Sequence, residues 1–522
     1  MMDRHIAADV PLIAVYNYLE VAYDFLSRSH DEEVVRRRYS RSDRALLWLG
    51  DPKLAFVTMP VPHADYVRER LGYANTEVIA PMAPSTALSL DILAEPRLLE
   101  RLLEYAGPAR TVQLVPYATT PEFLHLAATL RRDYGLNVLL PESPSPDCLW
   151  VRDYADTKAG FRTLAERWLS HTPDWKSDWK SPLLPEGIVC RTFSQVVEVA
   201  HWFGQRGKAC VVKADTGGSG LGHTLLWPDE GDATDSVMER LLANDFLQGD
   251  LILVEEYIQS SAQMSPSLEF FVPALGRGKP HITYLSNQLF DQGFGRFSGV
   301  ILSREFMETS WYPIMAASGQ VIAEQLQALG YVGHFDLDAV VDDEDRIYLL
   351  EINTRRTGGT HVHEFACFAF GPTYLGQSAL ISHNSLACGT IDSFDGLLAV
   401  IGDLLYPIGS EKRGVVVTVS STLPTHEFGC IIVGPTAAAA MALEQELRTR
   451  MEAAGRPAAQ TRGEPPELTP DIPGGPLLAS GIVPNFQPRV RGGPLAIVCR
   501  APRGETHRPV NSPTQPKKVA QP

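Results

Sequence analysis

The pattern that most restricts this chain is VGHFDLDAVVDDEDRIYLLEIN, residues 332–353, in which two apolar runs flank an acidic stretch. Strand-like runs separated by a short charged segment predict an antiparallel hairpin. In that hairpin Asp338 lies on the first strand, while Glu351 and Asn353 stand at the exit of the second, just after Ile347 to Leu350. The 13-residue separation of Asp338 and Glu351 suffices for two strands and a turn that bring the three groups side by side. A buried strand ending in a carboxylate and an amide is built to hold a cation, and oxygen-only donors suit Mg2+, which keeps waters and accepts phosphate oxygens as further ligands. Asp342, Asp343, Glu344 and Asp345 read instead as the solvated turn.

Upstream, VVKADTGGSGLGH places Lys213 at the end of an apolar strand and Gly217, Gly218, Gly220 and Gly222 in the loop that follows, with Ser219 among them. Backbone amides approach a phosphate closely only where side chains are absent, and an ammonium adds a point charge. The spelling is neither a Walker A motif, since no GK[ST] follows, nor the GxGxxG that opens a dinucleotide-binding helix. Lys158 opens a predicted helix, ADTKAGFRTLAERWL, whose first amides could assist with phosphate oxygens. LILVEEYIQ is a strand leaving into a hinge, and SLEFFV carries Glu269. A hinge of this kind offers backbone groups to an adenine edge, and a following acid can accept from ribose hydroxyls.

With 522 residues the chain is too long for one core and predicts two or three packed units plus a tail. Its net charge of -16 disfavours a nonspecific grip on nucleic acid or anionic lipid. Seven scattered cysteines without a CxxC pair point to a reducing compartment, and no apolar run reaches spanning length, so a cytoplasmic location is expected. Residues 1–145 alternate strand-like runs (PLIAVYN, ALLWLG, KLAFVTM, TVQLVPY, LNVLLPE) with helical segments at Pro96 to Tyr105 and Pro121 to Tyr134, an α/β layer pattern. A long helix is expected between Thr309 and Leu329, strands at GVVVTVS and CIIVGP, and a further helix at TAAAAMALEQELRTRMEAAG. Residues 459–522 hold 13 of the 39 prolines and read as a partly ordered tail in which SGIVPNF and GGPLAIVCR could dock.

In this order the lysine at a helix start, the VVK strand with its glycine loop, the EEY hinge and the D…LLEIN strand resemble the ATP-grasp ligases over residues 146–375. The spelling EINTRRTGGTHVHEF, the long first segment and the carboxy-terminal extension look most like the pheganomycin-type peptide ligases. The resemblance implies an α/β ATP-grasp fold with a preceding α/β domain and a small C-terminal extension: a first domain over 1–145, a nucleotide- and metal-binding core over 146–375, a small C-terminal domain packed on that core over 376–458, then the tail.

It further implies that Lys158 and Lys213 contact ATP, that the loop Gly217–Gly222 closes over its phosphates, and that Glu255 or Glu256 faces the adenine amino group. Tyr257 and Ile258 would supply backbone hinge contacts, Glu269 would take the ribose, and Asp338, Glu351 and Asn353 would bind two Mg2+ ions, for which Mn2+ can substitute. One departure stands out. D-alanine ligases carry an arginine two residues before the first metal acid, where this chain has Asp336. Arg296, Arg355 and Arg356 are then the candidates to stabilise the transferred phosphoryl group.

The activity implied is ADP-forming amide synthesis through an acyl phosphate, joining a small amino-acid-like carboxylate to the amino terminus of a peptide in natural-product (antibiotic) biosynthesis. His361, His363 and Glu364 are candidates for the acceptor pocket, and the family likeness makes a homodimer an expectation. The rivals are an ATP-grasp ligase that makes a dipeptide or modifies a small metabolite, and a nucleotide-binding interaction protein without catalysis.

Overall fold

The computed structural model describes residues 5–28, 40–169, 184–218, 220–228, 234–248, 251–291 and 296–455. Ser219 and the expected tail, with SGIVPNF and GGPLAIVCR, lie outside the described residues. Five short strands come first: β1 (Leu12–Val15), β2 (Lys53–Phe56), β3 (Thr76–Ile79), β4 (Thr111–Pro116) and β5 (Asn137–Leu139). They form a parallel sheet in the order β3-β2-β1-β4-β5. Strands buried on both faces can be short and apolar throughout, as β1 is; β2 is buried throughout as well, with Lys53 at its start. Helix Pro121–Arg132 starts cleanly because Thr120 accepts from the Phe123 amide and Pro121 needs no partner for its nitrogen. The strand order reverses direction between β1 and β4, so the carboxyl ends of these two strands mark the crevice where open α/β sheets take ligands.

The run ALLWLG, expected as a strand, has its first half in a 3-10 segment, Ser40–Leu47, and none of it in a strand. Ala45, Leu46, Leu47 and Trp48 are all buried, so the run carries no alternation, and apolarity alone cannot separate a buried turn of helix from a buried strand.

A second sheet is antiparallel: β6 (Gly187–Cys190), β7 (Cys210–Ala214), β8 (His223–Leu226) and β9 (Ile252–Glu256), in the order β6-β9-β7-β8. Helix Phe193–Gln205 packs on it through Val196, Val197, Ala200 and Phe203. The same apolar cluster admits Leu19, Phe25 and Leu26 from α1 (Tyr18–Leu26), the helix that follows β1.

The third sheet has eight strands: β10 (Pro266–Val272), β11 (His281–Asp291), β12 (Arg296–Leu302), β13 (Gly333–Val341), β14 (Ile347–Asn353), β15 (Ala379–Ala387), β16 (Gly414–Val419) and β17 (Glu427–Gly434). Their order is β14-β13-β10-β11-β12-β15-β17-β16. The boundary expected at 375/376 therefore falls inside one hydrogen-bonded sheet, since β12 pairs with β15. The extension also shares a core with the first domain, Trp48, Tyr66 and Val67 packing with Val415, Val416 and Ile431. Helix Tyr312–Ala328 lies under β10 and β13, burying Met315, Ile322 and Leu326 against Phe270, Phe335 and Leu337. Among the described residues no helix is long and apolar enough to cross a membrane.

Candidate active site

The β13–β14 hairpin sets Asp338 opposite Glu351 and Asp336 opposite Asn353. Leu337, Ala339, Leu349 and Ile352 point into the core, and a register shift after Asp338 leaves Leu350 unpaired. That extra residue turns Glu351 to the face that carries Asp338, as a bulge does. Asn353 donates through Nδ2 to Asp338 at 2.8 Å, and Gln288 of β11 donates to the other Asp338 oxygen at 2.9 Å. Burial and the neighbouring Glu351 charge push the Asp338 carboxyl up to about 7. Glu351 goes the other way: burial opposes it, but Lys158 and Lys213 hold it down at about 2. Two cross-strand carboxylates, with the Asn353 amide oxygen on the same hairpin, form an oxygen donor set that fits a hard divalent cation.

Lys158 opens α2 (Lys158–Leu169), and its ammonium lies 3.1 Å from Glu351. The first amides of this helix serve another purpose than the one expected. Asp215, just past β7, accepts from the Lys158 amide with its backbone carbonyl and from the Ala159 amide with its carboxylate, and Thr157 caps Gly160. Asp215 thus ties the start of the glycine loop to the helix that carries Lys158. Lys213 lies 2.7 Å from Glu255, which Arg162 approaches at 3.1 Å. The Glu255 carboxylate pairs with these two cations, and that of Glu256, the other acid expected to face an adenine amino group, with Lys208 at 2.8 Å. At the hinge the Tyr257 amide donates to Ala209, and the Tyr257 ring meets Trp227 edge-on at 5.8 Å; Ile258 follows it.

The β7–β8 hairpin brings the glycines to the metal-type strand. Gly217 (φ 131°), Gly220 (76°) and Gly222 (81°) occupy backbone that side-chain-bearing residues avoid. A Cβ on Gly218 would lie 3.6 Å from an Arg355 nitrogen, so the loop and Arg355 are neighbours. Arg355 in turn donates to Asn353 Oδ1 at 2.8 Å and to Asp156 at 2.6 Å.

The other two arginines are elsewhere. Arg296 is exposed at the start of β12, 3.9 Å from Asp291. Arg356 is 1% exposed, forked onto Glu142 at 2.7 and 3.0 Å, bonded to Glu364 at 2.9 Å and stacked 4.9 Å over Trp48, which leaves it no face for a phosphoryl group. The two arginines lie past the end of β14, Arg355 at a bend where its amide donates back to the Asn353 carbonyl, and their side chains go to different partners.

Glu269, expected at a ribose, is fully buried and accepts from Thr360 at 2.5 Å and Thr283 at 2.8 Å, with His334 at 3.0 Å. No ligand can reach it. The proposed acceptor trio lies in α3 (Thr360–Phe370) and is packed as well. Glu364 bonds Arg356 and accepts from the Leu49 amide, His363 stacks on Tyr284 and meets the Tyr374 hydroxyl, and His361 is buried near Arg44. These residues hold the segment after β14 in place and give no wall to an open pocket.

His5, Glu142 and His334 bring one ligand atom each within 4.8 Å of one another. Arg356 already supplies the positive charge to the Glu142 oxygens, so we read this as an ion network and not a metal centre. His334 sits between Glu269 and Glu142; burial opposes its charge, but the two carboxylates hold its pKa up at about 10. Because this lies above the unfolded value of 6.5, the stabilisation is complete below pH 6.5 and is lost as pH rises through about 10. His334→Gln is therefore expected to flatten the alkaline fall of Tm between pH 6.5 and 10. An alkaline limb identical to wild type in thermal melts would contradict the assignment.

Sequence reading missed Gln288, Asp156, Arg162 and Asp215. For Gln288 a period-2 signal existed in HITYLSNQLF, where Tyr284, Ser286 and Gln288 share one face. Asp156 meets residues 198 and 199 positions away, and no local pattern announces that.

No family model matches the chain. An L-propargylglycine–L-glutamate ligase of Streptantibioticus cattleyicolor is 27% identical over 361 residues, covering 64% of this chain and 70% of that protein. A solved biotin carboxylase from Campylobacter jejuni, in complex with β-γ-ATP, superposes with a TM-score of 0.53 at 13% identity, over 86% of this chain and 94% of that one. The likeness is one of fold: the three sheets are those of the ATP-grasp fold.

Proposed function

We propose that this protein is an ATP-dependent carboxylate–amine ligase. The observation that carries the reading is the meeting of three elements at one place: the Asp338–Glu351 pair, the glycine hairpin beside Arg355, and two buried lysines, Lys158 and Lys213. A triphosphate seated there would meet backbone amides at Gly217–Gly222 and ammonium groups from both lysines. Asp338, Glu351 and the Asn353 amide oxygen would hold Mg2+, whose charge neutralises phosphate oxygens during transfer.

In the reaction a carboxylate oxygen of the donor attacks the γ-phosphorus and ADP leaves. The amine then attacks the resulting acyl phosphate, inorganic phosphate leaves, and the amine sheds a proton to give the amide. Arg355, held by Asp156 and Asn353, is positioned to stabilise charge on the transferred group. Most of the acceleration comes from alignment and charge neutralisation, so no nucleophilic side chain is needed.

The carboxyl ends of β1 and β4 abut this centre, since the Arg356 amide donates to the Tyr117 carbonyl, and the donor acid would enter there. The donor is a small amino-acid-like acid. The acceptor is a peptide amino terminus or a single amino acid, and the name of the Streptantibioticus cattleyicolor relative favours the second. Incubation with ATP, Mg2+ and panels of amino acids and short peptides should give ADP, phosphate and an amide in equal amounts. AMP with pyrophosphate, or nucleotide turnover without any amide across the panel, would defeat the proposal.

A further inference from the structure

The glycines of the β7–β8 hairpin have a second partner besides any phosphate. A Cβ on Gly217 would lie 2.5 Å from Cε2 and Cζ of Phe25, and one on Gly222 would lie 3.7 Å from the same Cζ. The Phe25 ring, 7% exposed, stacks on Phe246 at 4.6 Å, and Arg28 donates to the Phe246 carbonyl at 3.0 Å. The carboxyl end of α1 is therefore seated in the sheet that carries the loop, alongside Val212, Ala214 and Val254.

The other end of α1 is fixed to the first domain. Asn17 donates to the Ala118 carbonyl at 2.8 Å and accepts from the Tyr117 amide at 2.9 Å, both at the carboxyl end of β4. Glu20 accepts from Thr120 at 2.5 Å and from the Ser89 amide at 2.7 Å. One short helix thus connects the strand ends where the donor acid would enter with the loop that would cover the triphosphate.

We propose that Phe25 is a positioning residue for the glycine loop: its ring fills the space left by the missing side chain of Gly217, lies in van der Waals reach of Gly222 and fixes the loop beside Arg355. This rests on the reading of the loop as a phosphate-binding element. Gly217 is then a glycine for two reasons, the backbone conformation and the ring that lies against it. Phe25 touches no reacting atom, so its removal should act on ATP capture more than on the chemical step.

The test is a comparison of full-length wild type, Phe25→Ala and Phe25→Leu. Phe25→Ala is expected to raise the KM for ATP about tenfold with a smaller change in kcat, and to speed hydrogen exchange of the loop amides. Phe25→Leu, which keeps an apolar filling, should recover most of both. Gly217→Ala should cost less in the Phe25→Ala background than in wild type, because the clash is gone. Equal KM and equal loop exchange in Phe25→Ala and wild type would overturn the proposal, as would strict additivity of the two substitutions. If Phe25→Ala does not fold, Phe25→Val takes its place in the comparison. Wild type that binds no ATP would refute the reading of the site, while loop exchange, which needs no nucleotide, would still decide the role of Phe25.

Discussion

Replacing Arg356 with leucine should destabilise the protein by about 3–5 kcal/mol, the cost of breaking a buried ion network from one side. The guanidinium is 1% exposed and neutralises two acids, Glu142 and Glu364, that come from distant parts of the chain. Burial by itself would raise the Glu142 carboxyl; Arg356, with His334, holds it well below the ordinary range. Without the arginine, Glu142 must take up a proton or remain a charge in an apolar setting, and the segment after β14 loses one of its ties to the first domain. Leucine also forfeits the contact with Trp48. Thermal melts check the effect. The double variant with Glu142→Leu should recover part of the loss, because the orphaned acid is then removed too. Arg355→Leu is the contrast: it should lower turnover by about two to three powers of ten and move Tm little. If Arg356→Leu kept the wild-type Tm and lost only activity, the assignments of the two arginines would have to be exchanged.

That pair shows where legibility in the sequence ends. Arg355 and Arg356 are neighbours with the same side chain, and nothing in TRRTGG separates them. Their difference is made by Asp156 and Asn353 on one side and by Glu142 and Glu364 on the other, and Glu142 is 214 positions from its partner. The β13–β14 hairpin was legible because its apolar residues keep a two-residue period on the core face, with acids on the other. Four strands of the first sheet, β1, β2, β4 and β5, were legible for a related reason, as short apolar runs between helical segments, whereas β3, TEVI, was not.

The middle of the large sheet was harder to see. On β15, Ser382, His383 and Asn384 are all buried, so polar residues stand where a hydrophobic pattern would be sought. Glu269 misled in a similar way: its place after the hinge suggested ribose, but Thr360, Thr283 and His334 claim both of its oxygens. Buried polar networks are specified by partners brought together in folding, and a local pattern carries little trace of them.

Glu351→Gln should reduce ADP formation by at least about a thousandfold, since losing a cation ligand removes several kcal/mol of transition-state stabilisation at roughly 1.4 kcal/mol per tenfold. The substitution keeps size and shape on β14, so the hairpin should form as before, and far-UV circular dichroism should match wild type. Electrostatics around the position change in two ways. Lys158 loses the carboxylate 3.1 Å away that balances it, and Asp338 is freed from the charge across the strand pair. Asp338 alone is a weaker seat for a divalent ion, so the Mg2+ dependence of any residual turnover should shift to higher concentration. Asp338→Asn should behave alike, because either acid by itself leaves the cation site short of charge. The lysine contact supplies the sharper discrimination. If Glu351 mattered only as a charge balance for Lys158, then Lys158→Met in the Glu351→Gln background would restore stability; activity of Glu351→Gln within threefold of wild type is the second contrary outcome. Activity at that level, measured by ADP release at saturating ATP and Mg2+, would remove Glu351 from the metal site and with it the ligase reading.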